Sequence, residues 1–140
     1  MDEKLKRDLI LEHYQNPINR GEPSADDYIK HNSRNESCVD NLDFYVKLED
    51  GIIIDIRFTG EACAISTSAS SMMIKKLSGM TIEEALKVID NFEKMIAEED
   101  YDKDLLTELN VYDTIYKQPS RKACALLPFR GLKEILITNR

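Results

Sequence analysis

Along residues 42–58 apolar and polar positions alternate. Leu42, Phe44, Val46 and Leu48 interleave with Asp43, Tyr45, Lys47 and Glu49, and Ile52, Ile54, Ile56 and Phe58 continue the pattern beyond Asp50 and Gly51. A period of two belongs to a strand with one face in the core, and Asp-Gly is a tight-turn signal, so the stretch predicts an antiparallel hairpin. Tyr28 to Asn32 offers a third strand.

Elsewhere the period is helical. Leu5, Leu9 and Ile10 predict a helix over residues 4–15, ended by Asn16-Pro17; the following segment, rich in Pro, Gly, Asn and Asp, reads as an ordered loop. Beyond Cys63, Ile65, Ala69, Met72, Met73 and Leu77 form a stripe closed by Gly79, and the serines among them predict close approach of this helix to the sheet. The strongest helix starts at Thr81, which with Glu84 has the spacing of a capping box and precedes Ile82, Leu86, Ile89, Phe92, Met95 and Ile96. An acidic stretch, Glu98 to Asp100, reads as a solvated helix end. A short apolar segment over residues 105–116 follows, and a last helix covers 124–136. Pro128 should make that helix begin near Cys124 or kink. Helices gathered after a hairpin predict an α+β fold, a small antiparallel sheet with helices packed on one face.

At 140 residues the chain fits a single domain, 1–140, around one core. No apolar run reaches the ~20 residues of a spanning helix. The charged start, Met1 to Ile10, has no apolar stretch of the secretory type, so the expected compartment is cytoplasmic. A net charge of −7 argues against nucleic acid or an anionic membrane as partner, since both require a basic face.

Three cysteines in such a chain point to metal or thiol chemistry rather than disulfides. Cys38, Cys63 and Cys124 lie at element boundaries, 25 and 61 positions apart, which excludes the local knuckle of a zinc ribbon. If they meet, tertiary folding brings them together, and Asp40 adds a carboxylate. Cys63 and Cys124 at helix starts would face free amides that favour a thiolate. Three thiolates and a carboxylate repel one another unless a divalent cation joins them. A lone free cysteine is ordinarily a small buried hydrophobe; three at boundaries beside an aspartate weigh against that. His13 reads as structural, His31 as solvated, and Met72 and Met73 as core. Ser66, Ser68, Ser70 and Ser71 lack the elbow and histidine of a serine nucleophile. No phosphate-binding glycine motif occurs.

The segments "EHYQNPINRG", "SCVDNL", "GEACAISTSASSMM" and "PSRKACALLPFRGL" together resemble the U-type iron–sulfur cluster assembly proteins, the IscU, SufU and NifU N-terminal family. The resemblance implies the SufE/NifU-like fold, with Cys38, Asp40, Cys63 and Cys124 as metal or cluster ligands at one exposed end. It also implies sulfur received from a cysteine desulfurase, and a downstream iron–sulfur carrier or apo-protein acceptors. Ala123 stands where IscU-type members have histidine, and the segment around residues 98–118 resembles a SufU-type insertion, so SufU-like members are the nearer match.

Two functions follow from the resemblance. In the first, Cys38, Cys63 and Cys124 accept sulfur and hold a nascent, transient iron–sulfur cluster. The alternative is a zinc-dependent sulfurtransferase in which a zinc ion holds the thiolates, Cys38 accepts sulfur and Arg121 assists; whether the chain is an enzyme depends on which applies. Three residues depart from the family pattern. Val39 replaces the glycine between Cys38 and Asp40, where a left-handed backbone would be strained and Asp40 displaced; Ala62 replaces the glycine before Cys63; and Pro128 lies four residues past Cys124.

Overall fold

The structure, a computed structural model, describes residues 1–35 and 39–140. Its elements run α1 (Glu3–Gln15), β1 (Ile29–Arg34), β2 (Asn41–Glu49), β3 (Ile52–Glu61), α2 (Ala64–Leu77), α3 (Ile82–Ile96), α4 (Lys103–Leu106), two 3-10 turns (Thr107–Tyr112 and Ile115–Lys117) and α5 (Pro119–Thr138). The strands form one antiparallel sheet in the order β1-β2-β3. Asp50 and Gly51 turn the hairpin with positive φ angles of 52° and 74°, as a tight turn between twisted strands requires.

Leu42, Phe44, Val46, Ile53, Ile56 and Phe58 bury one face of the sheet in a core shared with the helices. α5 packs on β1 and β2, while α2 packs chiefly against α1 and α5. Phe92 of α3 stacks on Phe129 of α5 with ring centroids 3.8 Å apart. The segment after α1 runs along the open edge of β3, where the Phe58 amide donates to the Asn19 carbonyl and Asn19 Nδ2 donates to the Ile56 carbonyl; on the other sheet face the Tyr28 hydroxyl donates to Asp55 and Lys47 pairs with Asp27. Thr81 and Glu84 close a reciprocal capping box at the start of α3, as their spacing predicts. The acidic residues after α3 are exposed and Met72 and Met73 are buried, again as expected. Among the described residues no helix is long and apolar enough to cross a membrane.

Several sequence expectations need correction. In β3, Ile53 is buried while Ile52 and Ile54 are exposed. The pairing steps from Lys47↔Asp55 to Leu48↔Ile53, so Ile54 is an extra residue that reverses the alternation. On α1, Leu5 faces solvent and Lys6 is buried, its ammonium 2.6 Å from Asp113 and 3.2 Å from Glu3. The Asp113 and Glu3 carboxylates hold that ammonium's pKa above its ordinary value against the opposing effect of burial. α5 begins at Pro119, not near Cys124, and continues through Pro128. Proline at the first helical position needs no N–H partner and starts the helix five residues early.

The buried serines of α2 point mainly to helices and loops rather than to the sheet. Ser68 meets the Tyr112 hydroxyl at 2.6 Å, and Ser71 accepts from the Ile18 amide at 2.8 Å and meets His13 Nδ1 at 2.7 Å. His13 is thereby structural, as expected, and burial lowers its pKa from the ordinary histidine value. His31 is half-buried in β1 rather than fully solvated.

A candidate metal centre of Asp40, Cys63 and Cys124

Three elements bring three donors to one point. Asp40 immediately precedes β2, Cys63 follows β3 as the N-cap of α2, and Cys124 lies in α5. Their ligand atoms all lie within 4.8 Å of one another. The hairpin sets the first two side by side, because Asn41 at the start of β2 pairs with Glu61 at the end of β3. Gly60 permits that approach. It has a φ of +117°, and a Cβ there would collide with the Asn41 carbonyl. α5 supplies the third donor as it crosses β1 and α2.

Asp40 is the hinge of the arrangement and only 2 % exposed. Its Oδ1 accepts the Cys63 backbone N–H at 2.7 Å, and its Oδ2 accepts the Ser66 hydroxyl at 2.6 Å. The Cys63 thiol donates to the same Oδ2 at 3.8 Å. Burial alone would raise the Asp40 pKa. The Ser66 and Cys63 hydrogen bonds, joined by the thiols, outweigh it and hold the carboxyl below its usual value. Cys63 is half-buried, and its sulfur accepts the Ser66 backbone N–H at 3.5 Å, which caps α2. The expectation that Cys63 opens a helix therefore holds.

The corresponding expectation for Cys124 does not. Cys124 lies in the second turn of α5, fully buried, with its thiol 3.7 Å from the Ser120 carbonyl and Asn35 Nδ2 3.8 Å from its sulfur. Burial, together with the neighbouring Cys63 and Asp40, pushes this thiol up to about 12. A cation among these donors would reverse that by favouring their ionised forms.

The donor chemistry fits such a cation. A tetrahedral zinc with Zn–S of about 2.3 Å and Zn–O of about 2.0 Å places a sulfur and an oxygen ligand about 3.5 Å apart. Cys63 Sγ and Asp40 Oδ2 stand 3.8 Å apart, so a small inward shift brings them to that spacing, and Cys124 lies close by. Two sulfurs and one oxygen leave one tetrahedral position for a fourth ligand.

The profile of the NifU-like N terminal domain matches residues 5–125. The chain belongs to that family. It is 34% identical over 131 residues to the zinc-dependent sulfurtransferase SufU of Bacillus subtilis, covering 93% of this chain and 88% of that protein. It is 35% identical over 103 residues to the iron-sulfur cluster assembly scaffold protein IscU of Thermotoga maritima, covering 74% and 72%. Among solved structures, a protein described as an iron-sulfur cluster assembly scaffold for the SUF system of Fervidobacterium islandicum superposes with a TM-score of 0.88. It is 27% identical and the match covers 91% of this chain and 93% of that one.

The family resemblance of the sequence and the α+β fold are thus borne out. Of the expected site residues, Asp40, Cys63 and Cys124 come together, and Val39 has not displaced Asp40 from Cys63. Cys38 lies outside the described residues. Arg121 is exposed in the first turn of α5, three residues before Cys124. Ala62 is not among the positive-φ residues, so its side chain causes no left-handed strain. Two participants were not anticipated from sequence. Ser66 is fully buried between Asp40 and Cys124, and Asn35 approaches the Cys124 sulfur. The signal for Ser66 was its spacing: the third residue after an N-cap is where a cap's sulfur meets the helix backbone.

Proposed function

We propose that this chain is a sulfur-accepting protein of iron–sulfur cluster assembly that keeps a zinc ion on Asp40, Cys63 and Cys124, with Cys38 as the fourth ligand. The observation that carries the reading is the convergence of one carboxylate and two thiols on three separate elements, within 4.8 Å. Ala123 before Cys124 supports an aspartate-and-cysteine ligand set, because it offers no imidazole. The likeness to a zinc-dependent sulfurtransferase over 93% of the chain supports it too.

Zinc, when bound, holds its thiol ligands deprotonated. The residues around it divide the remaining work. Asp40 orients the N-terminus of α2 through the Cys63 amide, while fully buried Cys124 anchors the site. Cys38 is the proposed acceptor and Arg121 a proposed auxiliary group for anionic sulfur. The donor is a cysteine desulfurase carrying a persulfide, and the acceptor thiolate attacks its terminal sulfur. The donor's S–S bond breaks as a new one forms on the acceptor, and the desulfurase cysteine leaves as thiolate, so no oxidant or reductant is consumed. The sulfur then passes to a downstream carrier or apo-protein. Such chemistry belongs in a reducing compartment such as the cytoplasm, where thiols stay free.

A second reading is supported by the half-burial of Cys63: an open site suits a transient iron–sulfur cluster that must leave again. Metal and acid-labile sulfide content of protein purified without oxygen separates the two. Close to one zinc per chain without sulfide is the expected result. Iron with matching sulfide would replace the zinc reading by the scaffold reading, and neither metal nor sulfide would overturn both.

A further inference from the structure

Pro128 stands one helical turn past Cys124 inside α5. A proline has no N–H, and its ring crowds the carbonyl four residues earlier, so the Cys124 carbonyl has no helical donor from position 128. Buried carbonyls rarely go without a partner. Here the Ser66 hydroxyl of α2 meets that carbonyl at 2.9 Å. The same hydroxyl stands 2.6 Å from Asp40 Oδ2, and Ser66 is fully buried. One side chain thus touches the carboxylate of one candidate ligand and the backbone of another, and its main-chain N–H caps the sulfur of the third.

We infer that Ser66 is a positioning residue that holds Asp40, Cys63 and Cys124 in one frame, and that Pro128 makes this possible by freeing the Cys124 carbonyl to receive its hydroxyl. A hydroxyl carries one proton, and here two acceptors face it. Whenever Asp40 engages a cation, that proton can turn wholly to the Cys124 carbonyl. The carboxylate then leaves the hydrogen bond without stranding Ser66 in the interior. A proline that looks like a defect in the last helix becomes the partner of a serine 62 residues earlier in the chain. The link to zinc rests on the metal reading above; the hydrogen-bond link does not.

The two residues must therefore be energetically coupled, and a double-mutant cycle measures this. Ser66→Ala, Pro128→Ala and the double variant are compared with the natural chain in two assays: thermal unfolding without metal, and zinc affinity by chelator competition. With Pro128 in place, Ser66→Ala should lower the melting temperature by several degrees and weaken zinc binding about tenfold, the scale of one buried hydrogen bond. In the Pro128→Ala background an amide N–H returns to the carbonyl, and both losses should shrink to about half, the part that remains being the lost contact with Asp40. Ser70→Ala is the control. Its hydroxyl is equally buried but donates within α2 to the Ser66 carbonyl, so its effect should be the same in both backgrounds.

Equal Ser66→Ala losses in both backgrounds would overturn the link. Coupling in unfolding with additive zinc affinities would overturn the positioning role. If no variant binds zinc while the unfolding coupling persists, the metal reading fails and the Ser66–Pro128 link stands.

Discussion

Replacing Asp40 by asparagine or by alanine separates its two roles. Asp40 Oδ1 receives the Cys63 amide and its Oδ2 receives the Ser66 hydroxyl, both below the surface. Asparagine can keep both contacts. Its Oδ1 accepts from Cys63, and its Nδ2 donates to Ser66 Oγ, whose own proton then goes to the Cys124 carbonyl. Alanine leaves the Cys63 N–H without its partner, at a cost of about 2–3 kcal/mol offset in part by no longer burying a carboxylate. Denaturant unfolding of the metal-free proteins should place Asp40→Asn within about 1 kcal/mol of the natural chain and Asp40→Ala about 2 kcal/mol below it. Zinc affinity should fall in both. Structural zinc sites contribute about 10–16 kcal/mol through four ligands, so losing one ligand corresponds to about 3 kcal/mol, or roughly a hundredfold in affinity. Equal destabilisation by the two substitutions would refute the hydrogen-bond role. Zinc affinity retained within about threefold in Asp40→Asn would refute the ligand role.

Two further outcomes follow from the same geometry. The Cys124 thiol, pushed up to about 12, is protonated at neutral pH in the metal-free protein, so zinc binding must displace its proton. Calorimetric titration in buffers of different ionisation heat should report at least one proton released per zinc, with affinity rising as pH rises; no release contradicts this state of Cys124. For the metal-free fold the sign is opposite. An acidic group raised by folding stabilises below its unfolded pKa, and that contribution is lost as pH climbs toward 12. Gly60→Ala forces a Cβ against the Asn41 carbonyl at a positive φ, next to Asp40. It should lower stability by about 2–4 kcal/mol and weaken zinc binding; an unchanged unfolding midpoint would contradict the close approach.

Much of this architecture is legible in sequence where local rules act alone. The hairpin turn at Asp50-Gly51, the Thr81–Glu84 box and the helix opening at Cys63 are each set by a few adjacent residues, and each appears as expected. Departures arise where a distant partner overrides the local rule. Lys6 is buried because Asp113 waits for it, which nothing near α1 reveals. Ile53 replaces Ile52 and Ile54 in the core because the pairing shifts at Leu48, a choice made by both strands together. Pro128 continues in a helix because the carbonyl it frees is met by Ser66. The convergence of Asp40, Cys63 and Cys124 was implied by family resemblance rather than by spacing, since separations of 25 and 61 positions carry no geometry of their own. The serines of α2 were visible as a pattern, but their partners on α1, the 3-10 turn and α5 depend on how those elements dock.

Acceptance of sulfur at a thiol of the candidate centre can be read by persulfide transfer. Zinc-loaded protein is incubated with a cysteine desulfurase and free cysteine, alkylated, digested and read by mass spectrometry. One added sulfur atom per chain is expected on Cys38, and its loss in Cys38→Ser. Sulfur acceptance undiminished in that variant would contradict the role of Cys38. No acceptance by the natural chain, from a desulfurase that delivers sulfur to a small thiol in the same tube, would contradict a sulfur-accepting function.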